Sequence, residues 1–315
     1  MNLIEHILQQ QKVIVTDGAL GTELEACGCD LKNKLWSSNV LINNPEIIAQ
    51  IHTSYLKAGA DCISTSSYQS SIAGFIEHGF NAEQAYALIR KSSEIAVAAR
   101  DDFWASLTDA QRTARVKPFV VGSIGPYGAF LADGSEYRGD YVLDKAVLFD
   151  FYRPRIQALL EGGAELLGFE TLPSSGEALI ILELLEHEFP TAQAWFAFSA
   201  KDRLHISNGE PIENVIKTVA PHNAVVSIGV NCTAPQYIDS LIHLIAQNTQ
   251  KPIIVYPNSG ENYDAENKQW YNHSTAGAFA EHAQRWFEQG ARLIGGCCRT
   301  SPKEINEVAH LFKHA

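Results

Sequence analysis

Residues 162–170 read Gly-Gly-Ala-Glu-Leu-Leu-Gly-Phe-Glu and predict the end of a helix, a tight joint and a buried strand that finishes on a carboxylate. The same kind of joint recurs at residues 58–61, Ala-Gly-Ala-Asp, and at residues 289–292, Gln-Gly-Ala-Arg. Each joint places a glycine where a helix would end. The repetition predicts a repeated unit of helix and strand.

Short apolar runs with β-branched residues recur along the 315-residue chain and alternate with segments of helical periodicity. There are eight such runs, at residues 13–16, 62–64, 119–122, 166–170, 194–199, 225–230, 253–256 and 293–296. Regular alternation of strand and helix requires parallel strands. Several joints that follow a strand are long, at residues 17–44, 65–80, 123–141 and 257–273.

This pattern predicts an α/β fold, a single (β/α)8 TIM barrel with long βα loops, as one domain over residues 1–315. In such a barrel the functional site lies at the carboxyl ends of the strands. An open doubly wound sheet is the alternative, and it lacks support because no Gly-x-Gly-x-x-Gly follows the first strand.

The charge balance argues against several classes of partner. The chain has 24 Lys and Arg against 36 Asp and Glu, a formal charge of −12, so we expect no nucleic-acid partner and no anionic membrane partner. The amino terminus has no cationic flank before an apolar run, and no segment approaches the roughly 20 apolar residues that span a bilayer. We expect a cytoplasmic protein.

Three of the six cysteines fall at the predicted functional end. Cys232 follows the sixth run in Gly-Val-Asn-Cys, and Cys297 and Cys298 follow the eighth in Gly-Gly-Cys-Cys. Three thiolates with an open fourth position suit a catalytic zinc ion, and the glycines let adjacent side chains turn toward one ion. Spacing alone leaves open a chance grouping of core cysteines or a vicinal disulfide.

The other cysteines favour simpler interpretations. Cys62 lies inside a predicted strand and is expected in the core. Cys27 and Cys29 could hold a metal, but no second pair stands near them, so a solvated loop is favoured. The chain contains no His-x-His and no His-Glu-x-x-His, which disfavours the histidine-rich metal hydrolases.

Two carboxylates also end strands, Asp17 after the first and Glu170 after the fourth. A carboxylate that leaves a buried strand needs a cationic partner, either a ligand group or an internal Arg or Lys, and we favour the ligand. Trp36, Tyr68 and Tyr127 lie in the loops of the same end. They could pack as a lid or offer ring faces to a cation.

Several of these motifs together resemble the homocysteine S-methyltransferase family, in order along the whole chain. They are residues 17–18 (Asp-Gly), 35–37 (Leu-Trp-Ser), 122–126 (Gly-Ser-x-Gly-Pro), 169–171 (Phe-Glu-Thr), 229–232 (Gly-x-Asn-Cys) and 295–299 (Gly-Gly-Cys-Cys-Arg). Residues 67–69, 134–141 and 256–261 resemble loops of the bacterial and plant members that use S-methylmethionine.

The resemblance implies a zinc-dependent barrel that moves a methyl group from a sulfonium donor, S-methylmethionine or S-adenosylmethionine, to L-homocysteine and releases methionine. It implies that Cys232, Cys297 and Cys298 hold Zn²⁺ and that Asp17 and Glu170 meet the amino group of homocysteine. Trp36 and Tyr68 match loop positions that approach the donor in betaine-using relatives. The remaining predicted substrate-binding residues are Gly18, Asn231 and Tyr127.

The chain shows no extension for folate, cobalamin or reactivation modules, so the resemblance implies a free methyl donor. Two other interpretations stay open at this point. One is a thiol methyltransferase that uses betaine or a methylated corrinoid protein. The other is a non-enzymatic zinc or thiol redox module.

Overall fold

A computed structural model describes residues 1–29, 31, 37–141, 144–260, 262–264, 269–271 and 278–313. Its strands are β1 (Ile14–Val15), β2 (Cys62–Ser64), β3 (Phe119–Ile124), β4 (Leu166–Leu172), β5 (Ala194–Phe198), β6 (Val225–Asn231), β7 (Ile253–Tyr256), β8 (Asn262–Asp264), β9 (Gln269–Tyr271) and β10 (Ala291–Ile294). Eight of them form one sheet in the order β1-β10-β7-β6-β5-β4-β3-β2, with every hydrogen-bonded pair of neighbours parallel. The predicted TIM barrel is confirmed, and β8 and β9 form a separate antiparallel hairpin after β7.

Helices precede, connect and follow the barrel strands. They are α1 (Leu3–Leu8), α2 (Leu20–Ala26), α3 (Ser37–Asn43), α4 (Pro45–Ala58), α5 (Ile72–Glu77), α6 (Ala82–Ser106), α7 (Asp109–Thr113), α8 (Tyr127–Leu131), α9 (Lys145–Glu161), α10 (Ser175–Glu188), α11 (Ile212–Val219), α12 (Pro235–Ala246), α13 (Ala278–Glu288) and α14 (Pro302–Lys313). A short 3₁₀ turn, Ser135–Tyr137, lies in the loop after β3. Within the described ranges, no helix combines the length and the apolar character needed to cross a membrane.

The joints that predicted the repeat have the expected backbone. Gly59, Gly163 and Gly290 all adopt positive φ, at 109°, 96° and 119°. Gly59 also leaves no room for a side chain, because a Cβ there would lie 2.5 Å from the Cβ of Ala309 in α14. These glycines turn the chain from helix to strand at the amino end of the barrel.

The core has two parts, one between the barrel and its helices and one inside the barrel. Cys62 and Trp195 are almost wholly buried inside the barrel, so Cys62 is a core residue as predicted. Ile4 and Ile7 of α1 belong to the same inner cluster. The helix that precedes β1 therefore covers the amino end of the barrel and leaves the carboxyl end for the long loops.

Two buried aspartates join the edge strands β1 and β2. At the amino end, Asp61 donates its backbone N–H to the Val15 carbonyl at 2.7 Å, and its side chain accepts the Val15 N–H at 2.9 Å. At the carboxyl end, the Asp17 side chain accepts the Ser64 N–H at 2.7 Å. These bonds bring the two edges together, which rules out the open-sheet alternative.

The Asp61 carboxylate is fully buried and depends on a cation from the last helix. Lys313 Nζ lies 2.5 Å from one of its oxygens, and Nζ also donates to the Gly59 carbonyl at 2.6 Å. We expect Lys313→Met to lower the free energy of unfolding by about 1–3 kcal/mol, because it leaves a buried charged acceptor short of a donor.

Urea unfolding of the purified proteins measures this effect. Lys303→Met is the control, since it removes an exposed lysine from the same helix and should leave the midpoint unchanged. Equal midpoints for the two variants would mean that Lys313 does not support the junction of β1 and β2 that Asp61 and Asp17 form, which we call the seam.

Candidate active site

The sulfur atoms of Cys232, Cys297 and Cys298 meet at the carboxyl end of the barrel. All three lie within 4.8 Å of one another, and they are the only group of three or more candidate metal ligands in the described residues. The Cys232 and Cys297 sulfurs are in contact, with their Cα atoms 5.5 Å apart, whereas the Cys297 and Cys298 sulfurs are 4.0 Å apart. Cys297 and Cys298, which are adjacent in sequence, therefore do not form a disulfide with each other.

The backbone at the ends of β6 and β10 turns these sulfurs toward each other. Cys232 adopts a left-handed conformation, with φ 44°, and its N–H donates to the Tyr256 carbonyl at 3.3 Å. The Cys297 N–H donates to the Pro257 carbonyl at 2.7 Å. Both cysteines are thus held by the end of β7, the strand between theirs, although 65 residues separate them in sequence.

The glycines before the cysteine pair are required by close packing. The Gly296 N–H donates to the Asp17 carbonyl at 3.1 Å, and a Cβ on Gly296 would overlap the Thr300 side chain. The Thr300 hydroxyl in turn donates to the Cys297 carbonyl at 2.6 Å and closes a tight turn. This turn places the two neighbouring thiols on the side that faces Cys232.

Glu170 has one satisfied oxygen and one that lacks a partner. Its Oε2 accepts a hydrogen bond from the Ser123 hydroxyl at 3.1 Å, while its Oε1 is buried without a hydrogen-bond partner among the described residues. Burial, with a contribution from the negative charge of Asp17, raises the pKa of Glu170 to about 8. This oxygen can therefore accept a hydrogen bond from a donor that is not among the described residues.

Asp17 is held more firmly than Glu170, because both of its carboxylate oxygens accept hydrogen bonds. Its two oxygens accept the N–H and the hydroxyl of Ser64, at 2.7 and 3.1 Å. Burial outweighs these hydrogen bonds and raises the pKa of Asp17 to about 7. Within the described part of the chain, no Lys, Arg or His forms an ion pair with Asp17 or Glu170. The two carboxylates therefore share a buried region with no internal counterion there.

Asn231, predicted to bind substrate, ends β6 and bonds with its side chain to the end of β4, on the far side of β5 in the sheet. Its Oδ1 accepts the Thr171 N–H at 2.7 Å, and its Nδ2 donates to the Thr171 hydroxyl at 2.9 Å. Thr171 has a φ of 58°, a conformation that a residue other than glycine seldom adopts. Asn231 thus stabilises the backbone next to Glu170.

Gly18 contributes by lacking a side chain. A Cβ there would lie 2.9 Å from Cε1 of Tyr55 and 3.0 Å from the Thr300 hydroxyl. The glycine lets the chain after Asp17 pass between these two side chains.

The predicted aromatic residues have different surroundings. Tyr68 lies in the site: its hydroxyl bonds the Thr171 side chain, and burial together with the nearby Glu136 and Glu170 carboxylates raises its pKa. The ring contacts described for Tyr127 are instead with Phe130, Tyr141 and Phe151, none of which belongs to the sulfur cluster. Trp36 lies outside the described residues.

Some supporting residues escaped the sequence analysis. Ser64 and Ser123 orient the two carboxylates, and Arg155, which is 1% exposed, donates to the Tyr68 and Gly125 carbonyls at 2.9 Å each. The sequence gives a weak indication of the two serines, because they lie near the ends of strands at the level of Asp17 and Glu170. No sequence pattern indicates Arg155, because it lies on the helix α9 and not at a strand end.

The chain is similar to known proteins over nearly its whole length. The family model "Homocysteine S-methyltransferase" matches residues 14–312. A homocysteine S-methyltransferase of Bacillus subtilis is 50% identical over 309 residues, 98% of this chain and 97% of that protein. Homocysteine S-methyltransferase 1 of Arabidopsis thaliana is 44% identical over 305 residues, 95% of this chain and 93% of that protein.

A solved structure is similar over nearly its whole length. It is the metallated form of the homocysteine methyltransferase MmuM from Escherichia coli, with a TM-score of 0.87 and 41% identity, covering 98% of this chain and 99% of that one. A metal-bound relative with the same fold supports a metal-dependent activity for the family.

The raised pKa of Glu170 makes stability depend on pH. An unfolded glutamate has a pKa near 4.3, whereas burial raises that of Glu170 in the folded protein to about 8. Between these values the folded state holds a proton that the unfolded state releases, so stability falls as the pH rises. We expect Glu170→Gln, which stays neutral, to be more stable than the wild type at pH 8–9 and similar near pH 5.

Urea midpoints measured from pH 5 to 9 without homocysteine test this expectation. Glu77→Gln, at an exposed glutamate, is the control and should follow the wild-type profile. A Glu170→Gln profile parallel to that of the wild type would show that burial of this carboxylate does not oppose folding.

Proposed function

Because the chain belongs to the homocysteine S-methyltransferase family, we propose that it transfers a methyl group from a sulfonium donor to the thiol of L-homocysteine on zinc and releases methionine. The observation that carries the proposal is a cluster of three cysteine sulfurs at the same barrel end as two buried carboxylates that have no counterion among the described residues. One end of the barrel thus offers a metal site for a thiol and an anionic site for an ammonium group.

The donor set fits zinc. Three sulfur ligands with one open position match a catalytic zinc site, in which Zn–S distances are about 2.3 Å. Burial raises the pKa of the Cys298 thiol to about 11, so at neutral pH this sulfur needs a bound cation to become a thiolate. Zinc, when bound, also supplies the nucleophile, because a coordinating thiol is deprotonated outright.

The acceptor is oriented by the two carboxylates. An ammonium group between Asp17 and Glu170 would donate to Oε1 of Glu170, which has no partner among the described residues, and would favour the ionised form of both carboxyl groups. Hydrogen bonds to charged groups contribute about 1.5–3 kcal/mol each. Ser64 and Ser123 keep the carboxylates in place. Binding therefore costs less side-chain conformational entropy.

The charge of the site favours a cationic donor. Three thiolates on a divalent ion leave one negative charge, and the ring of Tyr68 lies in the same site. In the transfer, the bond from the methyl carbon to the donor sulfur breaks as the bond to the homocysteine sulfur forms. The donor leaves as a neutral thioether, and no residue has to accept a proton from the methyl group.

S-methylmethionine is our first choice of donor. Its two S-methyl groups are equivalent, it leaves as methionine, and a site shaped for homocysteine needs little extra room to accept it. S-adenosylmethionine must also place a nucleoside and should react less well. We place the reaction in the cytoplasm, where thiols remain reduced, and propose that residues 1–315 act as a single domain.

One observation favours a second candidate function. The sulfurs of Cys232 and Cys297 are in contact, as a thiol redox module would require. Such a module would cycle between dithiol and disulfide and would not need a stoichiometric metal. Metal analysis separates the two functions.

Purified, untagged protein should contain about one zinc ion per chain, held by three thiolates with one open position. Replacing Cys232, Cys297 or Cys298 with Ser should remove metal and methyl transfer together. Cys27→Ser is the control and should keep both, because Cys27 is exposed and outside the cluster. Full methyl transfer by a metal-free Cys298→Ser protein would contradict the zinc mechanism.

The donor assignment is tested by kcat/KM with homocysteine and S-methylmethionine, S-adenosylmethionine or betaine in parallel. We expect S-methylmethionine to be the best donor. Tyr68→Ala should weaken the reaction, whereas Tyr68→Phe should retain more of it if the ring face holds the cation. Trp36→Ala extends the test to the position that the family resemblance implies.

The acceptor side of the same assay uses Glu170→Gln, which should raise the KM for homocysteine without loss of metal. A clear preference for betaine would overturn the donor assignment. Homocysteine kinetics of Glu170→Gln equal to those of the wild type would overturn the role given to this carboxylate.

A further inference from the structure

The loop after β3 carries a third carboxylate, which the proposed reaction has not used. Glu136 lies on the 3₁₀ turn Ser135–Tyr137, within the motif at residues 134–141. Its Oε2 is buried and has no hydrogen-bond partner among the described residues. Burial also raises the pKa of this carboxyl group, as expected for an acid without a compensating cation.

The turn that carries Glu136 is fixed to the barrel. The Glu136 carbonyl accepts the hydroxyl of Ser199 at 3.1 Å, and Ser199, which directly follows β5, is 1% exposed. Within the turn, the Ser135 N–H donates to Asp133 at 2.9 Å and the Gly139 N–H donates to the Ser135 carbonyl at 2.8 Å. The carboxylate is therefore held at the barrel mouth and not on a loose loop.

The nearest cation of the loop is engaged elsewhere. Arg138 bonds Asp140 at 3.1 Å, the Ser135 hydroxyl at 3.0 Å and the Asp133 carbonyl at 2.9 Å. Its charge lowers the pKa of Glu136 only as a minor contribution, after burial and other effects. Arg138 shapes the turn and does not satisfy the buried oxygen of Glu136.

Glu136 acts on the site already described. The 3₁₀ turn that carries it packs against β4, the strand of Glu170 and Thr171, and its negative charge raises the pKa of the Tyr68 hydroxyl. The negative charge of Glu170 also raises the pKa of the Tyr68 hydroxyl, which bonds the side chain of Thr171, the residue after Glu170. Glu136 therefore lies on a turn that adjoins the strand of the proposed acceptor site.

We propose that the Glu136 carboxylate binds the α-ammonium group of the methyl donor and so selects amino-acid sulfonium donors. This inference rests on the proposed function, and it adds a residue that recognises the donor. Two amino-acid substrates bring two ammonium groups, and Asp17 with Glu170 accounts for only one of them.

The chemistry of the free oxygen identifies the group that it binds. A buried oxygen without a partner needs an N–H or O–H donor. A sulfonium centre and the quaternary nitrogen of betaine carry no such hydrogen and could be attracted only by charge. A primary ammonium group supplies both the charge and the hydrogen bond.

The test compares two sulfonium donors that differ only in the amino group, S-methylmethionine and 4-(dimethylsulfonio)butanoate. The wild type should prefer S-methylmethionine in kcat/KM. Glu136→Gln should reduce kcat/KM for S-methylmethionine by at least about tenfold, because a charge-assisted hydrogen bond is lost, and should leave the deamino donor nearly unchanged. The KM for homocysteine and the zinc content should not move.

Asp140→Asn is the matched control. It removes one negative charge from the same loop, at an exposed position, and should not alter the preference between the two donors. Calorimetric titration of S-methylmethionine into zinc-loaded wild-type and Glu136→Gln protein, without homocysteine, gives a second readout that needs no turnover. The variant should bind S-methylmethionine at least about tenfold more weakly.

The outcomes separate this inference from the proposed function. If the wild type methylates homocysteine but Glu136→Gln weakens both donors equally, or raises the KM for homocysteine instead, the assignment of Glu136 is overturned. A wild type without preference between the two donors would also overturn it. If the wild type uses no sulfonium donor with homocysteine, the proposed function itself fails.

Discussion

The seam between β1 and β2 is the constraint on which the rest of the molecule depends. Asp61 joins the two strands at the amino end, and Asp17 joins them at the carboxyl end by accepting two hydrogen bonds from Ser64. The Gly296 N–H bonds the Asp17 carbonyl, so the turn with the cysteine pair is attached to the same seam. The contacts that close the barrel therefore also hold the parts of the site.

The site is built on strand ends whose backbone is left-handed. Thr171, Cys232 and Arg299 have φ values of 58°, 44° and 67°. Thr171 follows Glu170, Cys232 is a predicted metal ligand, and Arg299 follows Cys298. Conformations of this kind cost on the order of 1–3 kcal/mol each and persist only where the surroundings impose them. For Thr171 the Asn231 side chain supplies that constraint, and for Cys232 the Tyr256 carbonyl does. The strain aims the side chains into one space.

Electrostatics at this end oppose the stability of the free protein. Asp17 and Glu170 are buried together, Glu136 has an oxygen without a partner in the described part of the chain, and burial raises the pKa of all three. Burial of these carboxyl groups lowers the stability of the protein until a cationic ligand binds. Functional sites commonly lower the stability of a protein in this way. Under the proposed function, the substrates themselves bring the positive charge, so binding relieves the repulsion.

The amino-acid sequence by itself determined the barrel and the residue types of its functional end. Alternating apolar runs and repeated Gly-Ala joints are local patterns, and the rule that parallel strands end on one side placed Asp17, Glu170 and the three cysteines together. Only the tertiary structure decided what each side chain contacts. Asn231 bonds Thr171, Tyr127 contacts other aromatic rings, and buried oxygens of Glu170 and Glu136 have no hydrogen-bond partner among the residues that the structure describes. The reason is that hydrogen bonds between strand ends depend on register and side-chain direction across distant segments, which a pattern along the chain does not contain.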